Sequence, residues 1–320
     1  MDKWQHIYSV NQFTREDIKE LCELAAQMRD AVKSEGRLDT LKSKVVALLF
    51  FEASTRTSCS FNAALLRLGA GVISVDVMSS STKKGESVQD TLRTLACYCD
   101  AIIMRHPEKG IFQKTLPYLD GFNVSLISGG DGDGEHPTQA LLDIFTIQTE
   151  LGRLDNLTVT MCGDLKYGRT VHSLSQLLSL YQGITINYVS PDELKMPQEL
   201  IEKINLGPNN VEQNFSDRLT EDILSKTDVL YVTRLQKERF ASYDHTDTEM
   251  ITKIHDIVNS HIITADTLKP LKSTGIVMHP LPRVLELHES VDSHRSCVYF
   301  KQMHYGMFMR MALLQKVLVK

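Results

Sequence analysis

The sequence predicts an α/β protein of two doubly wound domains, each organised around a central parallel sheet. Three features carry that expectation. Short, unbroken apolar runs such as Val45-Val46-Ala47-Leu48-Leu49 have the length and hydrophobicity of strands buried on both faces. Segments with apolar residues at helical spacing lie between successive runs. The alternation occurs twice, with a change near residues 135–140, so two parallel-sheet units are expected rather than one.

The elements follow in order. Thr14 suits an N-cap, Glu16 and Asp17 fill a first turn, and Ile18, Leu21, Cys22, Ala25 and Met28 form an apolar stripe, giving a helix that runs to Lys33. A strand over 45–49 leads into Phe50-Phe51-Glu52-Ala53-Ser54-Thr55-Arg56-Thr57-Ser58, and Phe61, Leu65 and Leu68 predict a helix over 60–68. Strands follow at 72–77, 101–104 and 124–127, with a helix over 88–98 and a polar, basic loop over 78–86. A Gly-Asp run over 129–134 precedes a helix over 140–150 and does not match the dinucleotide pattern G-x-G-x-x-G. In the second half, strands are expected at 157–162, 184–189, 211–215, 229–232 and 276–278, with a helix over 169–181. Met307, Phe308, Met311, Leu314 and Val317 mark a terminal amphipathic helix over 306–319.

Composition bounds the partners. A chain of 320 residues has room for two ordinary domains, and 42% hydrophobic with 23% charged residues is the balance of a soluble globular protein. The formal charge of −5 gives no reason to expect nucleic acid or an anionic membrane as partner, so any anion site must be local. No apolar run approaches the ~20 residues of a membrane span, and residues 1–10 lack a signal-peptide core. Cys22, Cys59, Cys97, Cys99, Cys162 and Cys297 show neither metal-ligand nor disulfide-framework spacing. Reduced core thiols are expected for most of them, which points to a reducing, cytoplasmic compartment. No metal or cofactor is implied.

In parallel sheets of this kind, ligands bind beyond the carboxyl ends of the strands. Ser54, Thr55, Arg56 and Thr57 follow one predicted strand, Arg105 ends another, and His136 and Gln139 follow a third. In the second half, Asp164-Leu165-Lys166-Tyr167-Gly168-Arg169-Thr170 follows the first strand, Thr233-Arg234-Leu235-Gln236 another, and His279-Pro280-Leu281-Pro282 the last. Each has a plain alternative. Residues 54–57 could be an N-cap with an exposed arginine, Arg105 a surface ion-pair residue, and His136 a capping histidine. Arg234 could belong to a solvated charge cluster with Lys237, Glu238 and Arg239. Yet the turn at 54–57 aims backbone N–H groups and the positive end of a helix at one point, and Arg56 adds a fork for two phosphate oxygens. Strand ends loaded this consistently with anion-binding or carbonyl-polarising groups indicate one site for a small, strongly negative ligand.

The residues that carry this pattern resemble the catalytic chains of aspartate carbamoyltransferases over essentially the whole length. They are Phe50-Phe51-Glu52-Ala53-Ser54-Thr55-Arg56-Thr57, Lys83-Lys84-Gly85-Glu86, Met104-Arg105-His106-Pro107, and Gly134-Glu135-His136-Pro137-Thr138-Gln139-Ala140-Leu141-Leu142-Asp143, with 163–173, 233–239 and 279–284. The phosphate motif and His136-Pro137-Thr138-Gln139 are shared by carbamoyltransferases in general, whereas Arg234-Leu235-Gln236 is the set of the aspartate enzymes. The His-Cys-Leu-Pro and Ser-Met-Gly motifs of the ornithine-using relatives are missing. Two positions depart from the family. Ala53 stands where Pro or Asp is frequent and Ser58 where a basic residue is frequent, leaving the donors Ser54, Thr55, Arg56 and Thr57 complete.

The resemblance implies transfer of the carbamoyl group of carbamoyl phosphate to the amine of L-aspartate, giving N-carbamoyl-L-aspartate and phosphate, an early step of pyrimidine biosynthesis. It implies a carbamoyl phosphate-binding domain of residues 1–137 plus 302–320 and an aspartate-binding domain of 138–301, with the active site in the cleft between them. Ser54, Thr55, Arg56, Thr57 and Arg105 would hold the phosphate, and Thr57, Arg105 and His136 would face the carbamoyl oxygen. Gln139 and the carbonyls of Pro280 and Leu281 would take the carbamoyl NH2. Arg169 and Thr170 would pair with the aspartate α-carboxylate, Arg234 and Gln236 with the β-carboxylate, and Leu281 would also border aspartate. Ser80 (or Ser81) and Lys84 would reach a neighbouring subunit's site and touch both substrates, making a homotrimer with shared active sites. No nucleophile–base pair or metal cluster is evident, so direct attack is expected, with the departing phosphate accepting the amine proton. The alternatives are a carbamoyltransferase for another amino acid such as ornithine, and a catalytically silent binding or scaffold paralogue. Regulatory chains or fused pathway domains are compatible with the sequence.

Overall fold

The structure, a computed structural model, describes residues 3–77, 85–235, 259 and 261–319. It divides into two units, Met1–Phe145 with Met303–Lys320 and Thr146–Gln302. In the first, β1 (His6–Ile7), α1 (Arg15–Glu35), β2 (Val45–Phe50), α2 (Thr55–Arg67), β3 (Gly71–Val75), α3 (Val88–Ala96), β4 (Ala101–His106), α4 (Ile111–Thr115) and β5 (Ser125–Asp131) lead to α5 (Pro137–Leu151). Its five strands are all parallel, in the order β1-β5-β4-β2-β3. The central strands are apolar on both sides because both sides are covered: Val46, Ala47, Leu48 and Leu49 are buried, as are Ala101 to Met104. Thr14 caps α1 as its sequence predicts, accepting from the Asp17 N–H at 3.2 Å while its own N–H donates to the Asp17 carboxylate at 2.9 Å.

The second unit runs β6 (Thr158–Cys162), α6 (Arg169–Leu178), β7 (Thr185–Val189), α7 (Gln198–Asn205), β8 (Glu212–Ser216), α8 (Glu221–Lys226), β9 (Val229–Val232) and β10 (Ile276–Met278). These strands are also parallel, in the order β10-β9-β6-β7-β8. The final helix, α9 (Tyr299–Leu318), contributes most of its length to the first unit. Two doubly wound α/β units are therefore present, as the alternating pattern predicts.

Several boundaries differ from the sequence reading. Helix α2 begins at Thr55 rather than residue 60, because its first turn is polar and shows no apolar stripe. Strand β5 runs on through Gly129, Gly130 and Asp131, which the sequence presents as a loop. A Cβ on Gly129 would lie 3.4 Å from the Met104 carbonyl and 3.5 Å from the Phe50 ring, ordinary packing contacts, so this stretch is a close-packed strand rather than an open loop. All six cysteines are free, but only Cys22, Cys99 and Cys162 are buried. Cys59 and Cys97 are exposed, on the outward side of α2 and just past the end of α3.

Candidate active site

Both sheets reverse their winding next to their first long strand. From β2 the chain adds β3 on one side and β4 on the other; from β6 it adds β7 and β8 on one side and β9 on the other. At such a switch point the connections leave in opposite directions, opening a crevice at the carboxyl ends of the strands. The candidate residues lie at these two edges.

In the first unit, β5, β4 and β2 are neighbours. Beyond β2 the backbone turns into α2 at Ser54, the N-cap, whose side chain makes no capping hydrogen bond. The first intrahelical bond is Ser58 N–H to Ser54 C=O at 3.0 Å, so the N–H groups of Thr55, Arg56 and Thr57 have no intrahelical acceptor and face the same way. Thr57 is buried while Thr55 and Arg56 are exposed. Partial desolvation lowers the Arg56 pKa from its ordinary value, and arginine remains a cation at neutral pH.

Arg105 pairs in register with Phe50, and its carbonyl accepts from the Phe51 N–H at 2.8 Å. Its guanidinium donates to the Gly129 carbonyl at 3.2 Å and lies 3.1 Å from the Glu52 carboxylate, with the side chain only 12% exposed. Arg105 is thus ion-paired but set into the strand ends rather than on the open surface. Beside it, burial holds the His106 pKa below the ordinary histidine value despite the raising effect of Glu108 and Glu52. Its neutral ring accepts the Glu108 N–H at 3.0 Å, leaving Arg105 as the cation of that strand end.

His136 closes the third edge. Its carbonyl accepts from the Gln139 and Ala140 N–H groups at 3.0 and 3.1 Å, starting α5, and its side chain is buried with those of Thr138 and Gln139. The preceding turn is pinned from two sides. Asp131 accepts from the Gly110 N–H at 3.0 Å and the Glu135 N–H at 2.6 Å, and the Glu135 carboxylate accepts from Ser9 and the Val10 N–H at 2.9 and 2.6 Å. Gln139 donates through Nε2 to Asp143 at 2.9 Å.

In the second unit, β10, β9 and β6 are neighbours. After β6, Gly163 has φ +121°, and a Cβ there would sit 2.3 Å from the Thr233 carbonyl oxygen. Asp164 then accepts from the Lys166 and Tyr167 N–H groups at 3.1 and 2.9 Å, curling the chain into α6 with Arg169 and Thr170 half-buried in its first turn. Arg234 follows β9, half-buried, after Thr233, whose N–H donates to the Cys162 carbonyl at 2.8 Å. Pro280 and Leu281 follow β10, with Leu281 at φ +56°. That left-handed residue is held by its own N–H, which donates to His279 Nδ1 at 2.8 Å. His279 Nε2 in turn meets the Glu286 carboxylate at 2.9 Å, and both side chains are almost wholly buried.

The first unit therefore places Ser54, Thr55, Arg56, Thr57, Arg105, His136 and Gln139 at or after the carboxyl ends of three neighbouring strands, and the second does the same for Arg169, Thr170, Arg234, Pro280 and Leu281. Ser80, Ser81, Lys84 and Gln236 lie outside the described residues. Sequence reasoning assigned no role to Glu52, Asp143 or Glu286, which bond to candidate residues or to the turn that carries them. Only Asp143, four residues after Gln139 on a predicted helix, had a signal in the spacing.

Each unit is thus a doubly wound α/β domain in which hydroxyl and cationic side chains follow the carboxyl ends of neighbouring parallel strands. Comparison with known families narrows this. Residues 5–149 match the carbamoyl-P binding domain of aspartate/ornithine carbamoyltransferases and residues 155–317 match their Asp/Orn binding domain, so the chain belongs to the aspartate/ornithine carbamoyltransferase family. It is 43% identical over 316 residues to the aspartate carbamoyltransferase catalytic subunit of Archaeoglobus fulgidus, covering 98% of this chain and 99% of that one. It is 50% identical over 313 residues to the multifunctional protein pyr1-3 of Dictyostelium discoideum, covering 98% of this chain but spanning only 13% of that relative's length. A crystal structure of aspartate transcarbamoylase from Trypanosoma cruzi in complex with carbamoyl phosphate matches with a TM-score of 0.90 and 41% identity, covering 98% of this chain and 96% of that one. These matches bear out the resemblance to aspartate carbamoyltransferase catalytic chains.

Proposed function

We propose that this chain is the catalytic part of an aspartate carbamoyltransferase, transferring the carbamoyl group of carbamoyl phosphate to L-aspartate in pyrimidine biosynthesis. The observation that carries the reading is the grouping of Thr57, Arg105, His136 and Gln139 at three adjacent strand ends, in a chain 43% identical over nearly its full length to a catalytic subunit of that name. Related structures from Trypanosoma cruzi hold carbamoyl phosphate with aspartate, and carbamoyl aspartate with phosphate, which supports the same substrates and products here.

The chemistry follows from the groups available. The α2 N-terminus with Ser54, Thr55, Arg56 and Thr57 binds the phosphate, joined by Arg105, and the phosphate displaces Glu52 from its pairing with that arginine. Thr57, Arg105 and His136 stabilise the oxygen that gains negative charge as the aspartate amine attacks the carbamoyl carbon. Such preset donors are worth roughly 3 kcal/mol each. Gln139 and the Pro280 and Leu281 carbonyls hold the carbamoyl NH2. Arg169 with Thr170 and Arg234 with Gln236 fix the two carboxylates, and positioning of this sort supplies on the order of 7–11 kcal/mol. The new C–N bond forms as the bond from carbon to the phosphate oxygen breaks, and the leaving phosphate takes the amine proton.

Ser80 and Lys84 complete a neighbour's site in a cytoplasmic homotrimer. The decisive assay supplies carbamoyl phosphate with aspartate or ornithine and measures the carbamoylated product alongside the solution mass. Product from ornithine alone, or no product, overturns the reading. Mixing inactive Lys84→Ala and Arg105→Ala chains after dissociation tests the shared site: partial recovery is expected, and none refutes it. A pH profile that loses an enzyme base in His136→Ala would refute proton transfer to the phosphate.

A further inference from the structure

On α5, Gln139 and Asp143 are one helical turn apart and both buried, Asp143 completely. The contact between them settles a question of chemistry. A carboxylate accepts hydrogen bonds and an amide presents a donor at one end and an acceptor at the other. With Nε2 donating to Asp143 at 2.9 Å, the Gln139 carbonyl oxygen is turned away from Asp143. The glutamine therefore offers its acceptor end, the end that complements an NH2 group.

A cation from the far end of the chain lies within the field of Asp143. Arg310 on α9 is buried against the same part of the first unit, and the field of Asp143 raises its proton affinity. Burial is the larger effect and lowers the Arg310 pKa to about 10, which still leaves the guanidinium charged at neutral pH. Arg310 is fixed in place by donating to the Ser60 hydroxyl on α2 at 2.8 Å and by lying 5.0 Å over the Phe61 ring. Gly306, one turn earlier, allows the approach: a Cβ there would come within 2.9 Å of Leu142 and 3.0 Å of the Arg310 guanidinium. Arg310 thus bonds α9 to the helix that carries the phosphate-binding turn, within the electrostatic reach of Asp143 on the helix that carries Gln139.

We propose that Asp143, backed by Arg310, is a positioning residue that locks the Gln139 amide with its oxygen toward the substrate, so that this enzyme selects a carbamoyl group over an acyl group lacking NH2. The proposal rests on the reading of the first unit as the carbamoyl phosphate site. Replacing the carboxylate by an amide removes the lock. In the variant Asp143→Asn the introduced side-chain amide can donate to the Gln139 oxygen, which lets the glutamine turn its NH2 toward the substrate's NH2.

The test compares two hydrolytically stable ligands, phosphonoacetamide and phosphonoacetone, which differ by NH2 against CH3, by calorimetric titration of the full chain. The wild type is expected to prefer the amide, and Asp143→Asn is expected to reduce that preference about tenfold, the size of one mismatched hydrogen bond. In a Gln139→Ala background, Asp143→Asn should produce no further change in the ratio. A merely structural Asp143 would weaken both ligands alike, and that result overturns the proposal, as does a ratio shift that persists without Gln139. Should Asp143→Asn fail to fold, Gln139→Ala alone decides: an unchanged preference for the amide refutes the lock. Loss of wild-type turnover of carbamoyl phosphate with aspartate would instead sink the functional reading, leaving these binding ratios to be judged separately.

Discussion

The buried pair His279–Glu286 gives the most quantitative prediction. The Glu286 carboxylate accepts from His279 Nε2 at 2.9 Å, from the Val284 N–H at 3.2 Å and from the Leu285 N–H at 3.1 Å. In Glu286→Ala the two backbone donors, on exposed residues, can turn to water at a cost of about 0.5 kcal/mol each. The imidazole N–H cannot, since His279 is 1% exposed, and stranding it costs about 2 kcal/mol. The sum of about 3 kcal/mol corresponds to a melting temperature roughly 6–12 °C lower for a unit of this size. The same change frees His279, whose Nδ1 holds the Leu281 N–H and so its left-handed backbone, and kcat should fall at least about tenfold. Burial raises the Glu286 pKa, but the bonds from His279 and the backbone outweigh it and bring the value below 4.5. The stability gained from a depressed carboxylate is present above the unfolded pKa and lost as pH falls through the folded one. The difference in melting temperature between wild type and Glu286→Ala should therefore be full above pH 4.5 and shrink below it. Calorimetry across pH and steady-state rates check both parts. An unchanged melting temperature refutes the energetic reasoning, and a lowered one with intact kcat refutes the link to the Leu281 turn.

Three further outcomes are expected. Arg105→Ala should lower kcat/KM for carbamoyl phosphate about a hundred- to a thousandfold, with little change in circular dichroism, because the side chain sits at the strand ends rather than in the apolar core. Thr57→Val keeps the buried volume but removes the hydroxyl, and should cost roughly ten- to a hundredfold in kcat with the melting curve nearly unmoved. Gly163→Ala forces a side chain into a φ of +121° and against the Thr233 carbonyl, so thermal unfolding should show a loss of at least about 2 kcal/mol together with weaker aspartate saturation, since the same crossing places Arg169 and Arg234.

How far the sequence could be read depends on whether the cause of each feature is local. Strands such as Val45–Phe50 are legible because burial on both faces leaves an unbroken apolar run, and α1 because Thr14, Asp17 and the stripe from Ile18 to Met28 all lie within one helix. The candidate residues are legible because parallel sheets put ligands at carboxyl strand ends, so proximity to a strand end substitutes for knowledge of the third dimension. The reading weakens where glycine serves tertiary packing. Gly129 and Gly306 look like a loop and a helix start, yet each sits inside an element, and at Gly306 a Cβ would come within 2.9 Å of Leu142. It fails for the groups that orient the candidates. Nothing about Arg310 in isolation distinguishes a buried arginine bonded to Ser60 from a surface arginine on an amphipathic helix, and nothing about Glu286 announces a histidine behind it. Those pairings exist because α9 returns to the first unit and because the chain after β10 doubles back on its own strand end. A residue that touches substrate is constrained by the chemistry of the substrate and so takes a recognisable type, whereas a residue that orients it is constrained only by the shape of the fold. Orienting residues are for that reason the part of a site that coordinates reveal and sequence conceals.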